Sequence, residues 1–414
     1  MNRISPSCGL VALACFGAAA LAQDHQQATI LDRNLTKTPG TIEQITASAI
    51  HYSDPSGRPR SIDRSRVLAV YSRKVHGATV PTMGSAADRA DGIAGVLRLS
   101  DGQIVPGFFR PGSKPEMLGW SCRRLGQFSV PLDHVASILF LDSASSIVPS
   151  GKKDLVLLTN DDRVEGFIES IGADLNIDVN GVKSTFPVDR VAAARLANPY
   201  VQGGDELIYL SDGSVLAAAE IGSKIAGKPG AVEQSTPVRW ALAADNGAAS
   251  VEIGSIDAVV IDPKSFLPLS SVPCTLAEPG GTRTKETVIE IADPSVAPLG
   301  LAAVTIRGPA SVEWSLPAGA KRFGATLELP MDARPWGNTS VVVSTAGSDR
   351  KFREVLKKDF SSEAPSAECT VDLSGVSILR IDVRGRAYAE VQARVRMLEP
   401  VLLVTPAASA SKPR

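Results

Sequence analysis

Three stretches of this sequence carry residues whose types and spacing could do chemistry. The first is GSKIAGKP (222–229), one residue short of a phosphate-cradling loop. Such a loop needs Ser or Thr after its lysine to hold Mg²⁺, and it must open a helix. Here Pro229 and Gly230 follow Lys228, so the stretch reads as an ordinary loop. The second is the Asp161-Asp162 pair, beside a histidine complement of only His25, His51, His76 and His134. No two histidines have ligand spacing, no GxSxG elbow is present for a triad, and His134 next to Asp133 reads as a surface residue. Adjacent carboxylates in a turn point apart, so Asp161 and Asp162 suit turn chemistry better than paired acid–base work. The third stretch is MDARPWGNTS (331–340). Trp336 offers a flat ring for the C–H face of a sugar, and Arg334 and Asn338 beside it offer polar groups for hydroxyls. Trp336, Arg334 and Asn338 are the candidate ligand-binding residues. The sequence points to no catalytic residue, no metal site and no cofactor, which favours a non-enzymatic binding protein.

The elements that would position such a loop are β-strands. Ala, Val, Leu, Gly and Pro abound, and no long helical period stands out. Trp314 is in phase with Val312 on one strand and reads as core, and Trp120 and Trp240 occupy similar mid-unit places that also argue for packing. Lys plus Arg number 43 against 44 for Asp plus Glu, so no global field attracts nucleic acid or an anionic membrane. Arg3, the apolar stretch Gly9–Leu21 and the small-x-small site Ala20-Leu21-Ala22 read as a signal peptide over residues 1–22. No later stretch is apolar enough to span a bilayer, so the expectation is an exported chain, periplasmic or extracellular. Cys122, Cys274 and Cys369 are too few for a disulfide scaffold, and a Cys274–Cys369 bridge is left open.

One phrase recurs. LSDGQIVPG (99–107), LTNDDRVEG (158–166) and LSDGSVL (210–216) each follow an apolar run and precede more apolar residues. Asp-Gly between such runs predicts a type I′ hairpin turn, and Gly107 and Gly166 mark matching bends in the strand that follows. The endings FSVPLDHVASILFL (128–141), STFPVDRVAAARLA (184–197) and ASVEIGSIDAVVID (249–262) also correspond, and 45–71 reads as a diverged fourth copy. Units of this size with four or five short strands suggest tandem small SH3- or Sm-like β-barrels. The expected organisation is a diverged β unit at 41–75, then barrels at 93–142, 153–198 and 204–262, the last with an insertion. A linker at 263–298, a β-sandwich at 299–405 and a disordered tail at 406–414 follow.

Residues 299–404 have a different texture, with alternating strands around the turn Pro317-Ala318-Gly319-Ala320 and later strands at 340–345, 367–385 and 389–403. The order LPAGAKRF, then VDLSGVSILRIDV, then a late polar segment and a closing strand resembles the NPCBM family of carbohydrate-binding modules. The resemblance implies a galactose-binding-like β-sandwich or jelly roll, with Val371, Ser374 and Gly375 as turn residues between two core strands. It also implies a polysaccharide or cell-envelope glycan as partner. The barrels ahead of such a module resemble exported proteins of planctomycete-type bacteria. The alternatives are a structural, scaffolding protein of the cell envelope, or an accessory part of a glycoside hydrolase system. The leader reading has a direct check. N-terminal sequencing of the exported protein should begin at Gln23, and a lipid-bearing start at Cys15 would overturn it.

Overall fold

A computed structural model describes residues 27–72, 92–112, 114–123, 125–141, 153–199, 206–221, 235–240, 248–252, 255–279, 288–292, 297–335, 337–385 and 393–405. Among these residues the elements are β-strands joined by turns, some of them short 3-10 turns. The leader, the 222–229 loop, Trp336 and the 406–414 tail lie outside the described residues.

Four copies of one five-stranded pattern come first. Copy one holds β1 (Gln27–Asp32), β2 (Lys37–Ile45), β3 (Ala49–Ser53), β4 (Pro59–Asp63) and β5 (Val67–Ser72). Copy two holds β6 (Ile93–Leu99), β7 (Ile104–Arg110), β8 (Met117–Cys122), β9 (Gly126–Pro131) and β10 (Val135–Leu139). Copy three holds β11 (Asp154–Leu158), β12 (Arg163–Ile171), β13 (Asp174–Val179), β14 (Val182–Pro187) and β15 (Val191–Arg195). Copy four holds β16 (Glu206–Leu210), β17 (Val215–Ile221), β18 (Ser235–Trp240), β19 (Ala248–Glu252) and β20 (Ile256–Val260). Within each copy the first four strands meander and the fifth returns to pair with the first.

The equivalence extends to single hydrogen bonds. The N–H of Arg33, Ser100, Thr159 and Ser211 donates to the carbonyl of Arg66, His134, Arg190 and Ser255, at 2.8–2.9 Å in each copy. The repeated phrase is therefore the first hairpin of copies two, three and four; in copy one the equivalent hairpin is Asp32–Thr36, ahead of the 41–75 unit expected, whose Ser-Asp-Pro-Ser-Gly turn is the later β3–β4 hairpin. The turn of the phrase differs from the type I′ expectation. Gly102 donates to Leu99 O and Leu99 to Gln103 O, which makes a three-residue turn with a left-handed residue only at its end. That last position is Gly102 (φ 89°), Asp161 (φ 68°), Gly213 (φ 80°) and, in copy one, Leu35 (φ 61°). Gly107 and Gly166 instead mark close backbone approaches inside continuous strands. A Cβ on Gly107 would lie 2.3 Å from the Ser121 carbonyl oxygen, and one on Gly166 would lie 2.2 Å from that of Asp178.

The expected separate, closed SH3- or Sm-like barrels are not what the strands build. Among the described residues each fourth strand pairs only with the third, so every copy is an open sheet. The fifth strand instead gives its second edge to the fifth strand of another copy: β5 pairs with β20, and β10 with β15. Copies two and four also meet through their hairpins, Val215 opposite Ile104, with Ala217 N donating 3.0 Å to the buried Gln103 Oε1. The four copies thus merge into one continuous sheet. The edge that each unclosed unit leaves on its fifth strand is satisfied by another copy. Trp120 lies in a core shared by copies two, three and four.

The segment expected as a linker carries strands of the sandwich: β21 (Phe266–Pro268), β22 (Cys274–Pro279) and β23 (Ile289–Ile291). They are followed by β24 (Val304–Arg307), β25 (Ala310–Ser315), β26 (Ala320–Glu328), β27 (Thr339–Ala346), β28 (Arg353–Phe360), β29 (Ser366–Asp372), β30 (Ile378–Gly385) and β31 (Arg394–Val404). One sheet runs β23-β24-β31-β26-β29, with β21 also on β31. The other runs β22-β25-β30-β27-β28. Trp314, Phe323 and Phe360 fill the space between them. Cys274 and Cys369 are buried and unbridged, as is Cys122, and burial, chiefly, pushes the Cys369 thiol up to about 12.

The repeats and the sandwich are packed against each other through copy one. Leu35, Leu31, Leu68 and Tyr71 form a core with Leu299, Leu301 and Val401. Leu35 seats where a side chain on Gly324 would be, its Cβ 2.9 Å from that position. Holding a leucine in left-handed backbone costs roughly 1–2 kcal/mol, which burying its side chain offsets by about 1.5–3 kcal/mol. Around this plug Arg322 donates to Asn34 Oδ1 at 2.7 Å, and Tyr71 donates to Glu399 Oε2 at 2.8 Å. Lys37 pairs with the same Glu399 at 2.7 Å. Burial, and then the Glu399 charge, pushes the Tyr71 hydroxyl up, so it stays a donor. Gly324→Val should therefore overpack the Leu35 contact and cost about 1–3 kcal/mol in denaturant unfolding. The same change in a Leu35→Ala background should cost clearly less.

Candidate functional site

The sandwich sheet β22-β25-β30-β27-β28 has a polar outer face that alternation dictates. Side chains on a strand point to opposite faces in turn. Val312 and Trp314 on β25, Leu379, Ile381 and Val383 on β30, and Val341 and Val343 on β27 enter the core. Ser311, Glu313, Arg380, Asp382, Ser340, Val342 and Ser344 therefore point outward. Register sets them in rows. Glu313 faces Arg380 and Arg380 faces Ser344, while Ser311 faces Asp382 and Asp382 faces Val342. Lys357 of β28 extends the second row.

Within these rows the polar groups hold one another. The Ser311 hydroxyl donates to Asp382 Oδ1. Arg380 donates through Nε to Glu313 Oε1 at 2.9 Å, and its Nη2 reaches the same oxygen. The guanidinium lies 3.6 Å from the centre of the Phe352 ring, a cation–π contact that fixes its plane. Although on an outer face, Ser311 is only 3% exposed, Ser344 7% and Asp382 9%. A carboxylate withdrawn from water interacts more strongly with any donor that reaches it. The arrangement offers carboxylate acceptors, a guanidinium donor with its plane held, and hydroxyls, a set suited to a ligand rich in hydroxyl groups.

Of the residues singled out from sequence, Arg334 and Asn338 are described and Trp336 is not. The 330–338 loop joins β26 to β27, the strand that carries Ser340 and Val342. Arg334 donates through Nε to the Leu329 carbonyl at 3.1 Å and lies 3.7 Å from Glu328. It ties the loop back to its own strand. Arg396 holds the same Glu328 at 3.2 Å, and Arg394 reaches Asp332 at 2.9 Å. Gly337 is buried under Leu329 and the Ala333 carbonyl, and Asn338 is exposed.

Sequence reasoning missed Glu313, Arg380, Asp382 and Phe352. The available signal was a charge at every second residue of LRIDVR, out of phase with the core. Elsewhere, Trp314 and Trp120 are core residues as expected. His134 is half-buried, 3.8 Å from Asp133. Asp161 and Asp162 are turn residues, with Asn160 Nδ2 donating to Asp162 at 2.6 Å. Among the described residues no group of three His, Cys, Asp or Glu is placed to hold a metal.

No protein-family model matches the sequence, and no curated protein matches it. Solved structures do match part of it, and those below are carbohydrate-binding modules. CBM51 from Clostridium perfringens GH95, in complex with methyl-galactose, is 11% identical over 33% of this chain and 99% of its own, with a TM-score of 0.26. TmCBM61, in complex with β-1,4-galactotriose, is 14% identical over 33% of this chain and 91% of its own, with a TM-score of 0.22. The CBM22-1 xylan-binding domain from Paenibacillus barcinonensis Xyn10C is 9% identical over 35% of this chain and 96% of its own, with a TM-score of 0.23. Likenesses at this level say nothing of the ligand of this chain.

The Glu313–Arg380 pair should behave as a unit. Glu313→Gln and Arg380→Gln each leave a half-buried charge without its partner, whereas the double variant removes both. A double-mutant cycle read by thermal or denaturant unfolding should give a coupling of about 1–2 kcal/mol, with the double variant closer to the parent than the sum of the singles.

Proposed function

We propose that the protein is an exported, non-enzymatic binding protein whose C-terminal β-sandwich takes a carbohydrate, a polysaccharide or cell-envelope glycan. One observation carries the reading: the withdrawn Ser311–Asp382 row beside the Glu313–Arg380–Phe352 row on the outer face of one sheet. Ser311 occupies one oxygen of Asp382 and Arg380 one oxygen of Glu313. The second carboxylate oxygens are then the acceptors for sugar hydroxyls, with Arg380 as donor. In this reading Trp336 supplies a stacking ring and Asn338 a further polar contact. The NPCBM-like reading of residues 299–405 supplies the ligand class.

A scaffolding role for the repeats has its own support. The four copies share one sheet and one of them is plugged into the sandwich, so the repeats hold the binding sheet at a fixed orientation. The two roles are compatible.

The test is affinity electrophoresis of the full mature chain in gels containing galactan, xylan or an envelope glycan. Retardation by at least one is expected. Trp336→Ala and Asp382→Asn should each abolish most of that retardation, and Trp336→Ala should leave the melting temperature nearly unchanged. Migration of the parent unaltered by every glycan would overturn the reading. So would retardation that neither substitution weakens.

A further inference from the structure

We propose a second platform for a neutral polysaccharide chain on copy three, formed by the outward face of β12, β13 and β14. It shares a ligand class with the sandwich reading but none of its residues. Two rows cross this face. Phe167, Asp178 and Lys183 are opposite one another, and so are Ser170, Asn176 and Thr185. The second row is ordered in advance: Thr185 Oγ1 donates to Asn176 Oδ1 at 2.8 Å, and Asn176 Nδ2 donates to Ser170 Oγ at 2.9 Å. The charges are matched within the copy. Lys183 pairs with Glu169 at 2.9 Å, a hydrogen bond that holds its ammonium on, and Asp178 accepts 2.6 Å from Gly181 N. A face with its charges already paired suits a neutral, hydroxyl-bearing chain better than a polyanion.

Phe167 is the reason to assign a ligand. Its side chain stands 58% exposed on a sheet whose opposite face is core. It directly follows Gly166, where the backbone of β13 comes close. The same repeat position holds Phe108 in copy two, where the ring is half-buried, and Thr41 in copy one. An aromatic ring left in water forgoes the area it would bury elsewhere, and on this face it lies beside an ordered amide and two hydroxyls, the makeup of a sugar subsite. In copy three the whole tip Thr159–Asp162 is exposed, whereas in copy one Leu35 of the tip is seated on the sandwich and copies two and four pair just beyond their tips, Val215 on Ile104. Two platforms on one packed body would bind one long chain with avidity.

The experiment uses the full chain in gels containing galactan, xylan or hydroxyethylcellulose, with four proteins: the parent, Phe167→Ala, Glu313→Gln/Arg380→Gln, and the combination. The proposal expects Phe167→Ala to weaken retardation about tenfold, by removing one of two linked sites, with an unchanged melting temperature. It expects the sandwich variant to keep a residual retardation that the combination loses. Asn176→Ala should act in the same direction as Phe167→Ala. If Phe167→Ala is retarded like the parent, or the sandwich variant alone loses all retardation, the copy-three platform is overturned while the sandwich site stands. If only Phe167→Ala matters, the sandwich reading falls and this one stands. If no polysaccharide retards the parent, both fall.

Discussion

Every copy in this protein is organised by its fifth strand, which bonds on one edge to the first strand of its own copy and on the other to the fifth strand of a different copy. Val67–Ser72, Val135–Leu139, Val191–Arg195 and Ile256–Val260 are accordingly almost wholly buried. A strand covered on both faces and bonded on both edges has no side for polar residues, so it reads as a near-continuous apolar run. That constraint fixes the partnership of copy one with copy four and of copy two with copy three. Copy one is then turned toward the sandwich, where Leu35 meets Gly324.

Much of the local structure was legible in the residues. The hairpins of copies two, three and four, the close approaches at Gly107 and Gly166, and the run that ends each copy all have side-chain signatures, whereas the hairpin of copy one at 32–36, ahead of the expected 41–75 unit, has none. Nor has the closure of the copies. Whether a fifth strand closes on its own fourth strand or on another copy is decided by backbone edges, which carry no residue code. The turn type was misread for a related reason. Asp-Gly suits both a two-residue turn and the three-residue one found, and only the hydrogen bond from Leu99 to Gln103 separates them.

In the sandwich, the core strands were visible through Val312, Trp314, Leu327, Val341 and Ile381. The edge strand β28 was not, because REVLKKDF is charged along most of its length and buries only its final Phe360. The strands at 263–298 hid among prolines, since Phe266–Pro268 and Cys274–Pro279 are short edge strands where proline is tolerated. The candidate site was illegible for a different reason. Arg380 and Asp382 are adjacent in phase, but Glu313 and Ser311 lie some seventy residues earlier and meet them only through the register of β25 on β30. The loop around Trp336 stood out because its residues are contiguous.

The pairing of fifth strands also imposes a parity on the repeat. Each such strand is used up by one counterpart, and the counterparts are nested, the outer two copies enclosing the inner two. A solenoid can lengthen one unit at a time because each unit offers the next a fresh surface. This array cannot. A further copy would bring an apolar fifth strand with no counterpart of its own kind among the described copies. Among the described residues the copies are matched in twos by the hydrogen bonds of their fifth strands, not by the length of whatever the protein binds.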